Sequence, residues 1–100
     1  MPMKSLGMIE VTSVTAAIDA LDIMCKTADV SFVTWERKLG GQLVTVIVEG
    51  EVSAVTQAVE TAVAQAVIRP CASAVIANPH EETARMVGVS ASRLKPKGRG

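Results

Sequence analysis

Ser5-Leu-Gly-Met-Ile-Glu-Val is the first run of β character, bounded by Thr12 and Ser13. The period then changes. Val14, Ala17, Ile18, Leu21, Met24 and Cys25 recur at helical spacing and predict an apolar stripe on one face, with Ser13 as the N-cap. Thr15, Asp19, Asp22 and Lys26 fall outside that stripe. Val30 to Trp35 is a second β-rich run. Leu43 to Val48 is the third and strongest, dense in β-branched residues and ended by Gly50. Glu51 opens a second helix, where a negative charge suits the positive end of the helix dipole. Val52, Val55, Val59, Ala62, Val63 and Ala66 form its expected buried stripe, and Pro70 is expected to stop it. Ala72 to Ala77 reads as a fourth strand broken by Asn78-Pro79, and Glu81 to Val87 as one or two turns of helix.

The order is β-α-β-β-α-β, the split arrangement of ferredoxin-like α+β folds. It predicts a four-stranded antiparallel sheet with two helices on one face, plus the short C-terminal helix. The other face is expected to be solvated or covered by another chain.

Composition sharpens this. The 100 residues make one domain, 49% of them hydrophobic, with only Phe32 and Trp35 aromatic. A core of small aliphatic side chains leaves few large anchors, so burial against a partner chain is a natural supplement. The formal charge is zero but uneven: residues 1–87 carry ten acids and six bases, a balance of −4, and residues 88–100 carry four bases. A slightly acidic body does not suit nucleic-acid binding, and Trp35 alone is too little for base stacking. Residues 88–100 read as a flexible basic tail behind a domain spanning 1–87. No secretory leader pattern and no apolar run of about 20 residues is present, so a cytosolic protein with no membrane partner is expected. Cys25 and Cys71 then read as small core residues, neither a disulfide nor a metal pair. His80 is the sole histidine, Asp19 and Asp22 have no companion base, and no nucleophile motif occurs. No metal, cofactor or catalytic residue is expected.

The remaining chemistry lies in Gly40-Gly41, between a charged strand end and the strongest strand. Two glycines joining two strands are a hairpin turn, because glycine takes positive φ without steric cost. On the turn alone, an ordinary hairpin is the simplest reading.

Several segments carry a wider pattern: Leu6-Gly-Met-Ile-Glu, Ala16-Ala-Ile-Asp-Ala, Met24-Cys-Lys-Thr-Ala-Asp-Val, Leu43-Val-Thr-Val-Ile-Val-Glu-Gly-Glu-Val and Val75-Ile-Ala-Asn-Pro-His. In this order and spacing, over about residues 4 to 87, the chain resembles the single-domain, hexamer-forming shell proteins of bacterial microcompartments. The resemblance implies a cyclic homohexamer that tiles with other shell proteins around encapsulated enzymes. It implies a central pore for small polar metabolites, lined here by Lys38, Leu39, Gly40, Gly41 and Gln42. It makes Lys26 an edge lysine, with Asp29 and Asn78 as further contacts between hexamers. The turn is one residue longer than the family's, near Arg37, and Gln42 stands where a third glycine is frequent. Asp29 replaces a frequent Asn, and Asn78 replaces an edge Arg, losing a charge and several donors.

Three functions compete. A structural shell subunit with a pore should be a hexamer that forms sheets. A small-molecule-binding regulatory oligomer of the same fold should be a dimer or trimer stabilised by ligand. A small phosphatase of this topology would need an anion-gripping loop with an Arg and a positioned Asn, which the sequence lacks. By itself Lys26 is a helix C-terminal cation favoured by the dipole; the resemblance alone makes it an edge contact.

Overall fold

The computed structural model describes residues 4–37 and 43–80. Six elements follow in the expected order: β1 (Ser5–Val11), α1 (Val14–Thr27), β2 (Ser31–Arg37), β3 (Val44–Gly50), α2 (Val52–Gln65) and β4 (Ala72–Ile76). The sheet is antiparallel throughout, in the order β2-β3-β1-β4. The fold is therefore the ferredoxin-like β-α-β-β-α-β arrangement. The helix expected at 81–87, the tail at 88–100 and the segment 38–42 lie outside the described residues.

Alternation along β1 sets the layers. Gly7, Ile9 and Val11 face the helices, paired with Val48, Val46 and Val44 of β3. Those three valines, Ile9 and Val11 form the core with Ala16, Ala17, Ala20 and Met24 of α1 and Val55, Ala58, Val59 and Ala62 of α2. The alanines let the helices lie close to the strands. Gly7 carries this furthest: a Cβ built there would stand 2.6 Å from Val55 Cγ1 and 2.9 Å from Val59 Cγ2.

Ser13 caps α1 as expected, its Oγ accepting from the Ala16 N–H at 3.1 Å. Both apolar stripes are rotated from the expectation. Ile18, assigned to the buried face of α1, is 63% exposed, and Cys25 is exposed beside it on the helix surface, while Ala16 and Ala20 take the inner positions. On α2, Val52 and Val63 are exposed and Ala58 is buried. The physical reason is common to both. Each helix packs on the sheet and on the other helix, and the small Ala side chains occupy that crowded inner angle. Periodicity weighted by bulk points to the flank instead.

Three further expectations shift. Helix α2 ends at Gln65, well before Pro70, and the Ala66 N–H closes its last turn on the Ala62 carbonyl. Cys71, expected in the core, is exposed, and its backbone N–H donates to the Glu10 carbonyl at 2.7 Å where the chain enters β4. The sheet face away from the helices is not a solvated surface throughout, since Leu6 and Ile47, which alternation places there, are buried.

Candidate functional site

The strand register sorts the residues of interest to two ends of the sheet. Arg37 pairs with Val44, and Val44 with Val11. The strands therefore deliver both ends of the 38–42 segment to the edge of the sheet where β1 ends. Lys38, Leu39, Gly40, Gly41 and Gln42 themselves lie outside the described residues.

Lys26, Asp29 and Asn78 belong to the opposite end. Lys26 is on the last turn of α1. Asp29 follows in the connection to β2, and its carbonyl oxygen would lie 3.0 Å from a Cβ built on Gly50, so glycine permits this close approach at the end of β3. Ser5 sits opposite Gly50, and its Oγ donates to the Ala77 carbonyl at 2.7 Å, which fixes the chain as it reaches Asn78. Asn78, Glu51, Val52 and Lys4 line a shallow cavity of about 390 Å³ at this end. Seven-residue strands separate the two ends by roughly 20 Å.

The Lys26 end is polar and open to solvent. Lys26 Nζ pairs with Asp22 Oδ2 at 3.0 Å, one turn back on α1, and both side chains are largely exposed. Such a pair contributes about 0–1 kcal/mol to folding, so Lys26 is not a structural support. Asp29 and Asn78 are exposed as well. Val52, counted from sequence as core, is 46% exposed at this same end and adds apolar surface beside the polar groups. Sequence reasoning missed it because a valine at helical spacing looks the same whether it meets the core or solvent.

Asp19 takes a role that spacing does not reveal. Its Oδ2 accepts from the Val67 N–H at 3.1 Å, which ties α1 to the connection between α2 and β4. The thiols are separate and free. Although Cys25 is exposed, partial desolvation against the helix surface raises its thiol pKa, and the neighbouring Asp22 carboxylate adds to the shift. Among the described residues, no three His, Cys, Asp or Glu side chains gather as a metal site, and no helix is long and apolar enough to cross a membrane.

The fold is that of a small α+β domain, with the exposed polar residues Lys26, Asp29 and Asn78 at one end of its sheet and the strand ends that flank 38–42 at the other. The sequence pattern of the BMC domain matches residues 5–79. The chain is 43% identical over 89 residues to the bacterial microcompartment shell protein PduA of Salmonella typhimurium, covering 87% of this chain and 94% of that protein. It is 45% identical over 82 residues to the carboxysome shell protein CsoS1A of Hydrogenovibrio crunogenus, covering 78% and 83%. Among solved structures, a microcompartments protein from Desulfitobacterium hafniense DCB matches with a TM-score of 0.74 at 25% identity, over 88% of this chain and 48% of that one. This chain thus spans about half of that protein's length. The chain belongs to the BMC domain family of bacterial microcompartment shell proteins, which are structural proteins and not enzymes.

Proposed function

We propose that this chain is a structural subunit of the shell of a bacterial microcompartment in the cytoplasm. It forms cyclic homohexamers that tile with one another and with other shell proteins around encapsulated enzymes. Lys38, Leu39, Gly40, Gly41 and Gln42 surround a central pore for small polar metabolites, and Lys26, Asp29 and Asn78 meet the adjacent hexamer. The domain spans 1–87, and 88–100 is a basic C-terminal tail.

One observation supports this reading: the strand ends that flank 38–42 and the residues Lys26, Asp29 and Asn78 lie at opposite ends of the same sheet. A subunit of a tiled ring needs one end at the axis and the other at the rim. Arg37 and Val44, which flank 38–42, pair at one end of the sheet, and Asp29 packs on Gly50 at the other. Glycine suits the axis, where six copies converge and a Cβ would crowd the opening. Backbone N–H groups and the Gln42 amide give a polar lining, which favours polar over apolar solutes. Asn78 keeps hydrogen-bonding capacity at the rim without the charge of an arginine.

Native mass spectrometry at micromolar concentration tests the ring, and six copies are expected. A dimer or trimer that a small ligand stabilises would replace this reading with the regulatory one. Gly41→Leu tests the pore: the ring should persist while a polar solute crosses tiled layers more slowly. Unchanged permeation through a ring of normal mass would move the 38–42 segment off the axis.

A further inference from the structure

The sheet face away from the helices is covered at its centre. Helices α1 and α2 pack on the face that carries Val44, Val46 and Val48. Thr34 and Ile47 pair with each other on the opposite face. They are nevertheless 0% and 7% exposed, and Leu6 on that face is 5% exposed. This burial belongs to a single chain, so the cover is another part of the same chain. Three residues precede Lys4 and reach at most about 10 Å, too little to cross from β1 to Thr34. The segment 38–42 is tied at both ends by Arg37 and the start of β3. Twenty residues follow His80, and they leave from the Leu6 end of the sheet. Pro79 is buried, so the chain has already turned back towards the body there.

Beyond the covered centre lies an acidic row. Glu10 and Glu36 both pair with Thr45, one from each side. The three side chains therefore share this face, with the two glutamates on strands about 10 Å apart. Glu36 is exposed and Glu10 is half-buried. Beside the row, Met8, Glu10, Thr45 and Ala74 border a hollow of about 240 Å³. The C-terminal sequence is complementary. Residues 93–99 read Arg-Leu-Lys-Pro-Lys-Gly-Arg, with a base at every second position. Alternate side chains of an extended chain share one side, so all four cations can face one surface. Pro96 biases Lys95 to that extended backbone.

We propose that the segment 93–99 docks on its own domain as a strap, laying Arg93, Lys95, Lys97 and Arg99 along the Glu10–Glu36 row. Residues 81–92 carry it there across Leu6, Ile47 and Thr34. The chain is long enough. Glu10 lies about 14 Å along β1 from Leu6, whereas the stretch from His80 to Arg93 reaches about 45 Å when extended. Cations about 7 Å apart along the strap match carboxylates about 10 Å apart on the sheet. Each contact at an exposed carboxylate is weak and screened by salt. The strap therefore holds at low ionic strength and lifts as ionic strength rises, opening the hollow beside Glu10. The contact lies within one chain and does not depend on the ring.

Carbodiimide coupling of the full chain tests the strap, because it joins a carboxylate to an amine only where the two meet. Peptide mapping by mass spectrometry should find Glu10 or Glu36 joined to Lys95 or Lys97 at about 20 mM salt, and the yield should fall several-fold at about 0.5 M. In protein assembled from isotope-labelled and unlabelled chains, each coupled pair should carry a single label. Trypsin cleavage after Arg93 should quicken several-fold in the double variant Glu10→Gln with Glu36→Gln, whose far-UV circular dichroism should match that of the parent. Should that variant fail to fold, Lys95→Gln with Lys97→Gln lies outside the sheet and should quicken the same cleavage. Four results would overturn the strap: no coupling to Glu10 or Glu36, coupling of Lys95 and Lys97 to Asp19, Asp22 or Asp29 instead, mixed-label pairs, or cleavage indifferent to both salt and the substitutions.

Discussion

Gly7→Ala is the smallest change that should damage this fold measurably. The added methyl would meet Val55 Cγ1 at 2.6 Å, Val59 Cγ2 at 2.9 Å and Val48 Cγ2 at 3.3 Å. Comfortable carbon contacts are about 3.5–4.0 Å, so Val55 must retreat by about 1 Å. It has little freedom to do so. Val55 is fully buried on α2, and valine in a helix is held almost entirely in one χ1 rotamer. The whole helix must lift from the sheet instead, because Val59 lies one turn along the same face and is also met. Overpacking of this kind costs about 1–3 kcal/mol. The reduced entropy of the unfolded chain returns about 0.4–1 kcal/mol. The net loss is about 1–2 kcal/mol, and each kcal/mol lowers the melting temperature of a domain this size by roughly 4–8 °C. Thermal melts at matched protein concentration read this directly, the concentration being fixed because assembly shifts apparent stability. The double variant Gly7→Ala with Val55→Ala removes the nearest obstructing methyl. Its loss should fall short of the sum of the single losses by about 1 kcal/mol. A Gly7→Ala protein as stable as its parent, or additive losses in the double variant, would refute the close-packing argument.

Three other outcomes follow from the structure. Lys26→Ala should leave the fold intact, with a stability change of about 1 kcal/mol or less for its exposed pair with Asp22; electron microscopy should show hexamers that no longer form sheets, and an unfolded variant would end the rim assignment. Ser13→Ala removes the oxygen that accepts from the Ala16 N–H and should lower stability by about 0.5–2 kcal/mol in urea titration; no change would mean that α1 starts without help from its cap. Cys25, whose thiol pKa is raised by partial desolvation and by Asp22, should be alkylated more slowly than an unstructured cysteine peptide near about pH 8, because the thiolate is the reactive form. That difference should narrow as pH rises through the folded-state pKa, and equal rates at the lower pH would contradict the shift.

The fold was legible because its signals were local. The β1 pattern, the Ser13 cap, the β-branched run from Leu43 and the alanine-rich second helix each name an element, and their order leaves few topologies. The ends of elements were less secure. Helix α2 stops at Gln65 although the next strong breaker is Pro70, because a helix ends where its face runs out of packing partners as well as where its backbone is blocked. The link from Asp19 to the Val67 N–H joins residues 48 apart. No spacing rule reaches across that interval, and the aspartate looked like part of a solvated face.

The misread stripes expose the limit of periodicity more sharply. Ile18, Val52 and Val63 are apolar and recur at helical spacing, which points them to the core, yet all three are exposed. Ala16, Ala20 and Ala58 were passed over and are buried. In a sheet with two helices on one face, the inner angle between the helices has room for methyl groups and little more. Branched side chains fit only where α2 lies over the sheet, as Val55 and Val59 do, and Ile18, Val52 and Val63 fall outside that contact. Periodicity therefore finds residues that avoid water without saying which surface covers them. In this domain the distinction has functional weight. Val52 lies beside Asn78 at the proposed rim, and Ile18 borders the apolar groove between α1 and β2. Periodicity points these residues inward, and the shape of the two-helix layer leaves them on open surface.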